Sequence, residues 1–332
     1  MTTNPVKAIE DINALMDIDV PVILLGQPGV GKSDIARAVA AQRDVPIIDF
    51  RATLIDPVDL HGLPVADKEA GVARWLPMGL LPSEERDGED GILLIDEITN
   101  ADASVKAALY GLILDRFIGE YRMPKGWRII AAGNRVEDRA SASRMPTALA
   151  NRFVHITVEP TVDDWINWAM SNNVPAEMIA FMRFRPEMLN DFDPARQINA
   201  TPRSWAMVAK IIGQALPEDV ESRLIRGAVG DGPGAEFLGF LKVFRDLPNP
   251  DTVLMNPTGS IVPDTSAALY AISGALAKRV AENTMEALCI YMDRLPAEFG
   301  VMAMRDATTR SPELASTKAF IEWGQKNQDF YL

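Results

Sequence analysis

The sequence lacks the features of secreted and membrane-spanning proteins. Its 332 residues include one cysteine, Cys289, so no disulfide can form within the chain, as is typical of a reducing compartment. It contains no run of about 18 apolar residues that would span a bilayer. The first residues also lack the basic start and apolar core of a secretion signal. We therefore expect a cytoplasmic protein that does not contact membranes.

Positive charge is also scarce. The sequence has 33 lysines and arginines against 46 aspartates and glutamates, for a formal net charge of −13. Proteins that coat nucleic acid use basic side chains to neutralise phosphates, so this balance argues against nucleic acid as a partner. The hydrophobic share of 48% and the charged share of 24% are those of a globular protein, and the length is enough for two or more domains.

The first half of the chain alternates short apolar segments with amphipathic helical patterns. Strands are predicted over 20–25, 45–48, 91–95, 128–132 and 154–158. The third and fourth are apolar at every residue after the first, as expected for a parallel sheet with helices on both faces. Helices are predicted over 33–41 and 104–114. Strands that alternate with helices indicate an α/β domain.

Helical patterns replace strands after about residue 160. They cover 163–170, 176–184, 203–216 and 235–244 and, after four prolines between Pro248 and Pro263, also 266–280 and 284–295. Three parts are therefore predicted: an α/β domain over 1–158, an all-helical domain over 159–247 and a helical C-terminal extension over 248–332.

Residues 26–33 read Gly-Gln-Pro-Gly-Val-Gly-Lys-Ser and lie between the first of these strands and the helix that follows it. This is a phosphate-binding loop in the context that the motif requires. Its glycines let backbone N–H groups wrap phosphates, and the helix N-terminus adds partial positive charge. Lys32 is expected to contact the β- and γ-phosphates, and the Ser33 hydroxyl to ligate Mg²⁺. The predicted nucleotide-binding residues are Gly26, Gln27, Pro28, Gly29, Val30, Gly31, Lys32, Ser33 and Asp34.

Two adjacent acidic residues end the strand over 91–95. Asp96 lies at the sheet edge where ligands gather in α/β proteins and is the second predicted Mg²⁺ ligand. Glu97 is placed to activate a water for attack on the γ-phosphate. A small-molecule kinase does not need this glutamate, a GTPase would show an Asn-Lys-x-Asp motif that the sequence lacks, and RecA-like motors usually carry it after a different strand. Hydrolysis of ATP fits best.

Three further residues are candidates for the same site. Asn134 follows the strand over 128–132 and is placed to orient the attacking water, although asparagine is also an ordinary turn residue. Arg152 precedes the last strand, and Arg203 begins a helix of the second domain. Taken alone, either arginine is more often solvated or part of a salt bridge.

The order of these motifs resembles that of AAA+ ATPases, most closely the MoxR clade. Residues 56–64, Asp-Pro-Val-Asp-Leu-His-Gly-Leu-Pro, are similar to the clade's insertion in its second helix, and residues 116–123 to its hairpin ahead of the sensor 1 strand. The helical extension resembles that of a subgroup of MoxR-like ATPases. The similarity covers about residues 20–230 and implies a P-loop AAA+ domain followed by a helical lid.

The resemblance also implies roles for single residues. The loop over 26–33 matches Walker A, Asp96 and Glu97 match Walker B, and Asn134 matches sensor 1. Arg203 matches sensor 2, which contacts the γ-phosphate from the lid of the same subunit. Arg152 matches the arginine finger that enters the neighbouring subunit's site. The catalytic residues that it implies are Lys32, Glu97, Asn134, Arg152 and Arg203.

Arg144 is the alternative arginine finger, and Arg135 and Arg139 lie close to it in sequence. These three arginines and Arg152 belong to residues 116–152, which hold eight basic and three acidic residues. The resemblance places this basic segment around the bound nucleotide and the subunit boundary. A finger that acts in a neighbour's site needs a ring, and members of the family usually form hexamers.

A MoxR-type ring implies a protein-remodelling chaperone that uses ATP and Mg²⁺. It implies a protein substrate and a partner with a von Willebrand factor A domain, in the maturation, activation or cofactor insertion of a target complex. His61 and Trp75 are candidates for contact with the substrate, with an exposed loop position for His61 and a packing role for Trp75 as the alternatives. The rival functions are a nucleic-acid motor or nuclease-associated AAA+ ATPase, and a scaffold protein with slow turnover. The sequence shows no zinc-ligand cluster, basic arm or lysine run that would favour the motor.

Overall fold

The computed structural model describes residues 2–76, 79–138, 143–214 and 216–327. The chain divides into two compact units, one of Met1–Thr161 with Asp193–Ala195 and the other of Val162–Phe192 with Arg196–Leu332. The division into three parts, with its boundaries, stays a prediction. No helix in the described part of the chain is long and apolar enough to cross a membrane.

The first unit contains the strands, together with helices. Its strands are β1 (Thr2–Thr3), β2 (Val22–Leu25), β3 (Ile47–Arg51), β4 (Leu63–Asp67), β5 (Val72–Leu76), β6 (Asp90–Asp96), β7 (Phe117–Ile118), β8 (Tyr121–Arg122), β9 (Gly126–Gly133) and β10 (Val154–Val158). Its helices are α1 (Pro5–Asp17), α2 (Lys32–Arg43), α3 (Pro57–His61), α4 (Glu84–Asp87), α5 (Ala103–Asp115) and α6 (Thr147–Ala150).

Six of these strands form one parallel sheet in the order β1-β10-β2-β9-β6-β3. Successive side chains of a strand point to opposite faces. In β2, accordingly, Val22 and Leu24 pack in one apolar cluster with α1 and α2, whereas Ile23 packs in another with α5. Both faces are covered, which explains why the central strands are apolar throughout. The predicted P-loop α/β fold is confirmed.

Two hairpins lie outside this sheet. Strands β4 and β5 pair antiparallel, with Leu63 opposite Leu76 and Asp67 opposite Val72. Strands β7 and β8 form the second, shorter hairpin. Because β4 and β5 are exposed on almost every residue, neither shows the alternation of apolar and polar side chains that predicts a strand.

The second unit is helical. Its helices are α7 (Val162–Ser171), α8 (Ala176–Phe184), α9 (Pro202–Ile212), α10 (Glu218–Val229), α11 (Asp231–Arg245), α12 (Pro250–Met255), α13 (Ser266–Arg279), α14 (Met285–Met292), α15 (Ala297–Arg310) and α16 (Lys318–Lys326). One apolar cluster surrounds Phe181, Trp205 and Phe237, and another surrounds Tyr291 and Met304. Helix α9 ends at Ile212, earlier than the predicted residue 216, with Gly213 as its C-cap.

Candidate nucleotide site

The loop between β2 and α2 has the backbone that a phosphate cradle requires. Gly29 and Gly31 have φ values of +82° and +92°, in the left-handed region that glycine adopts most readily. At Gly26 a Cβ atom would lie 2.7 Å from the carbonyl oxygen of Val158 in the neighbouring strand β10, so only glycine fits there. Asp34 lies in the first turn of α2, where backbone N–H groups have no partner within the helix. The Asp34 carboxylate does not cap these N–H groups and forms an exposed ion pair with Arg37.

Lys32 is buried within this loop, with 8% of its surface exposed. Its Nζ donates to the carbonyl oxygens of Gly26 and Gln27 at 2.8 and 2.9 Å, and to Asn134 Oδ1 at 3.0 Å. Asn134 is close because β9 lies beside β2, with Gly133 opposite Leu25. The sheet order therefore brings the Walker A lysine and the sensor 1 candidate together.

Ser33 and Asp96 meet at the same edge. The Ser33 hydroxyl donates to Asp96 Oδ2 at 2.7 Å, and the Glu97 N–H donates to Asp96 Oδ1 at 2.8 Å. A hydroxyl beside a carboxylate is the oxygen donor set that Mg²⁺ takes from a P-loop protein. The described residues hold no cluster of three or more His, Cys, Asp or Glu side chains suited to a metal.

Glu97 has a left-handed backbone, with φ of +58°. Non-glycine residues seldom adopt this conformation, and such strain clusters at functional sites. Its Oε2 accepts a hydrogen bond of 2.7 Å from the hydroxyl of Thr53, in the short 3₁₀ turn Ala52–Leu54 that follows β3. Thr53 is not a candidate from the sequence alone, because its contact with Glu97 depends on the pairing of β3 with β6. A polar residue just past the end of a neighbouring strand was the only available signal.

The basic residues after β9 differ in their partners. Arg144 and Arg152 are exposed, and among the residues that the structure describes neither guanidinium forms a hydrogen bond or ion pair. Arg135 instead donates to the buried Asp138 from Nε and Nη2, at 3.1 and 3.0 Å, and this bond raises the pKa of the guanidinium. Arg139 lies outside the described residues. Arg144 and Arg152 therefore stay the two candidates for an arginine that acts on a neighbouring copy.

Part of the basic segment lies away from the nucleotide edge, which corrects the expectation that all of it surrounds the nucleotide. Arg116 and Arg128 share Asp19 at 3.1 and 3.5 Å, just before β2 begins. Arg116 also donates to the carbonyl oxygens of Pro124 and Trp127, at 2.7 Å each. Because the strands are parallel, their amino ends lie opposite the edge that carries Lys32. These two arginines hold loops together there.

Arg203 belongs to the second unit. It is exposed and is the second residue of α9. The start of α9 is fixed by a capping box, in which the Thr201 N–H donates to Ser204 Oγ at 2.8 Å and the Ser204 N–H donates to Thr201 Oγ1 at 3.2 Å. Its role as sensor 2 stays a prediction.

The structure does not place His61 in an exposed loop or Trp75 in a packed position, the two alternatives to a substrate contact. His61 is the half-buried last residue of α3, with Nδ1 2.7 Å from the Pro57 carbonyl oxygen. Trp75 lies on β5, is 38% exposed, and its ring centre is 6.3 Å from that of His61. Trp75 is therefore part of the exposed hairpin and not packed beneath it.

The sequence over residues 21–153 matches the family model of the AAA domain, dynein-related subfamily. Residues 21–153 form an AAA domain. The match spans the phosphate loop, Asp96, Glu97 and Asn134, which the structure brings to one sheet edge. The AAA domain is a P-loop ATPase, and its residues fit ATP and Mg²⁺ as described above.

Solved structures align with most of this chain, beyond residues 21–153, but at low sequence identity. Among curated proteins, no sequence matches this chain significantly. NtrX from Brucella abortus, in complex with ATP, aligns with 14% identity and a TM-score of 0.40 over 100% of this chain and 69% of its own. A RuvB mutant from Thermotoga maritima aligns with 18% identity and a TM-score of 0.40 over 81% of both chains. We draw no conclusion about activity from these alignments.

Proposed function

We propose that this chain is a ring-forming ATPase of the MoxR type that remodels a protein substrate. Six copies bind ATP at their mutual boundaries, and hydrolysis drives the maturation, activation or cofactor insertion of a target complex. A partner with a von Willebrand factor A domain works with the ring in the cytoplasm. The partner, the hexamer and the compartment rest on the resemblance of the sequence to the MoxR clade.

The exposed hairpin of β4 and β5 is the observation that best supports a protein substrate. Leu63, Val72 and Leu76 are 53%, 54% and 57% exposed. Apolar side chains on a projecting hairpin gain free energy only when they meet another apolar surface, and exposed apolar patches mark protein-binding sites. Residues 63–76 hold two basic and two acidic side chains, which does not suit a phosphate backbone.

The same hairpin is connected to the catalytic edge by a short stretch of chain. It follows α3, which is anchored by the buried Leu60 and packs on α5. Before α3 comes the turn that contains Thr53, whose hydroxyl contacts Glu97. A substrate that moves the hairpin would therefore pull on the segment that holds the catalytic glutamate. This supports a coupling between substrate binding and hydrolysis.

The test combines a trapped ring with variants of the hairpin. Glu97→Gln should keep Mg·ATP bound and lose about 10²–10⁴-fold in hydrolysis, because the general base is gone. Proteins that co-purify with this trap, identified by mass spectrometry, should include one with a von Willebrand factor A domain. Leu63→Ser combined with Leu76→Ser should keep the basal ATPase rate and lose its stimulation by the co-purified protein.

Met255→Ser is the control for these variants, because Met255 is 86% exposed on α12 in the second unit. It should keep both the basal rate and the stimulation. ATPase activity that DNA stimulates, with a steep dependence on salt, would replace the proposal with the nucleic-acid motor. Substantial hydrolysis by Glu97→Gln would refute the role given to Glu97.

A further inference from the structure

Lys106 is a buried lysine in the first turns of α5, with 3% of its surface exposed. Its Nζ donates to the Thr99 carbonyl oxygen at 2.9 Å and to Ser143 Oγ at 2.6 Å. Both acceptors, a backbone carbonyl and a serine hydroxyl, are uncharged. Burial lowers the pKa of Lys106, which Asp102 only partly opposes. Burial of an amine without a carboxylate in hydrogen-bond contact costs free energy, which its hydrogen bonds to Thr99 and Ser143 partly offset.

Thr99 connects Lys106 to the nucleotide edge. The Thr99 hydroxyl accepts a hydrogen bond of 2.9 Å from the N–H of Asn134. At Gly133 a Cβ atom would lie 2.5 Å from Thr99 Cγ2, so the two backbones are held close together. Asn134 Oδ1 in turn accepts from Lys32 Nζ at 3.0 Å. A continuous set of contacts therefore runs from the phosphate loop to Lys106.

Ser143 is the other end of this set. Its N–H and hydroxyl both donate to the Thr99 carbonyl oxygen, at 3.0 and 3.2 Å, while its hydroxyl accepts from Lys106. The next residue is the exposed Arg144. Ser143, the residue before Arg144, is thus fixed to the turn after Glu97, and a charged donor makes that attachment stronger than a neutral one.

Arg152 does not share this attachment. It follows α6, and its N–H donates to the Leu149 carbonyl oxygen at 3.1 Å, within the same short helical segment. Arg144 is the exposed arginine whose preceding residue contacts the groups that hold Asn134. A shift of Asn134 or of Thr99 on a change of nucleotide would reach Arg144 through Ser143.

We propose that Lys106 is a positioning residue that fixes Ser143, so that Arg144 acts on the ATP of a neighbouring copy as a second arginine beside Arg152. The partner is a second copy of this chain, and the group recognised is its bound triphosphate. The inference rests on the ring of the proposed function.

The test uses Lys106→Met, which keeps the length of the side chain and removes its donors. ATP binding, measured with a fluorescent analogue, should be unchanged, whereas the ATPase rate should fall by about tenfold or more, because an arginine in a neighbour's site acts on the transition state. Lys106→Met combined with Arg144→Ala should be no slower than Arg144→Ala alone, as for two residues that act through one group. Lys125→Met, at an exposed lysine of the same unit, should keep the full rate.

Mixed rings separate a positioning role from a folding defect. When Lys106→Met copies are mixed with Glu97→Gln copies, some sites pair an intact Glu97 with a neighbour's intact Lys106 and Arg144. At equal amounts about a quarter of the sites are of this kind, so about a quarter of the activity should return. A defect in folding, or a role within its own site, would not be rescued in this way.

Each other outcome has a definite meaning. Failure of every arginine variant, Arg152→Ala included, to be rescued by Glu97→Gln copies would overturn the ring itself. Rescue of Arg152→Ala without rescue of Lys106→Met, or full activity of Arg144→Ala, would overturn this inference alone. If Lys106→Met does not fold, Ser143→Ala replaces it in the same mixing experiment, because it removes the hydroxyl and leaves the Lys106 contact with Thr99.

Discussion

Glu97 is held at the nucleotide edge by its own backbone and by one hydroxyl. It comes directly after β6 and has a left-handed φ of +58°, and its N–H donates to the neighbouring Asp96. Its carboxylate accepts from Thr53. A carboxylate oxygen that accepts a hydrogen bond from a hydroxyl is less available to take a proton from water, so this contact restrains the residue proposed as general base.

Thr53→Val tests that restraint, because valine keeps the shape and removes the donor. Loss of a hydrogen bond of about 1 kcal/mol corresponds to about a fivefold change in rate. We expect the basal ATPase rate to rise by about that factor and the stimulation by substrate to shrink, with ATP affinity unchanged. Steady-state ATPase assays with and without substrate check this. Thr53→Ser, which keeps the hydroxyl, should match the wild type, and a fall in the basal rate of Thr53→Val would contradict the restraint.

A buried ion pair joins two helices of the second unit. Nη1 and Nη2 of the Arg183 guanidinium on α8 both donate to the Asp306 carboxylate on α15, and the two side chains are 8% and 3% exposed. Arg310, one turn further along α15, faces the same pair, and burial lowers the pKa of its guanidinium. One carboxylate therefore compensates positive charge from both helices.

Removal of Asp306 should be costly at this position. Asp306→Ala leaves Arg183 buried and unpaired near Arg310, for which we expect a loss of about 3–5 kcal/mol in the free energy of unfolding. Arg183→Met combined with Asp306→Leu should recover most of it, because apolar replacement of both partners is often neutral. Urea denaturation followed by circular dichroism measures both. Asp219→Ala, in the exposed ion pair with Arg223, is the control and should cost less than about 1 kcal/mol.

Cys289 on α14 should be chemically inert in the folded protein. Burial raises the pKa of its thiol to about 12, and its Sγ lies 3.6 Å from the Ala319 carbonyl oxygen on α16. Because the thiolate is the reactive form, modification by a disulfide reagent at pH 8 should be at least about a hundredfold slower than in denaturant. Absorbance of the released thiol measures the rate. Rapid labelling without denaturant would mean that α14 and α16 separate readily.

This thiol also predicts a dependence of stability on pH. The pKa is raised on folding, so the stabilisation by the neutral thiol is complete below the ordinary value of 9.0. It is lost as the pH rises towards about 12. Cys289→Ala should therefore lose less stability than the wild type between these limits, in urea denaturation at a series of pH values.

The central sheet could be predicted because β6 and β9 are buried on both faces, which leaves an apolar residue at nearly every position. Its order could not, since β9 inserts between β2 and β6 although it follows both in the chain. The hairpin of β4 and β5 has no buried face and so no alternation to detect. Helix α15 was missed because its buried face includes Gly300 and Asp306, which break the apolar pattern.

The site shows the same difference. Lys32, Ser33, Asp96 and Glu97 form motifs whose spacing along the chain indicates their chemistry. Thr53, Thr99 and Lys106 belong to no motif, since their importance comes from contacts with residues outside their own elements that only the three-dimensional structure contains. Local motifs thus identify the groups that touch the nucleotide, whereas the residues that hold those groups depend on strand order.

Net charge gives a prediction for the whole molecule. Each copy carries a formal charge of −13, so copies repel one another unless specific contacts compensate. The exposed Arg144 and Arg152 are suited to supply such contacts only when a neighbour's triphosphate is present. Glu97→Gln with Mg·ATP should therefore form hexamers in native mass spectrometry and multi-angle light scattering. Without nucleotide, or with Lys32→Met, we expect smaller species, because the bridging phosphate is missing.

Higher ionic strength should weaken this assembly. Contacts between arginine and phosphate at an exposed boundary weaken as salt shortens the Debye length from about 10 Å at 0.1 M to about 3 Å at 1 M. The trapped hexamer should accordingly dissociate at high salt even when ATP is saturating. An assembly held by apolar contact alone would instead persist or grow with salt, because screening would only relieve the repulsion between acidic copies. Persistence of the hexamer at 1 M salt after Arg144→Ala and Arg152→Ala would show that neither arginine bridges the copies.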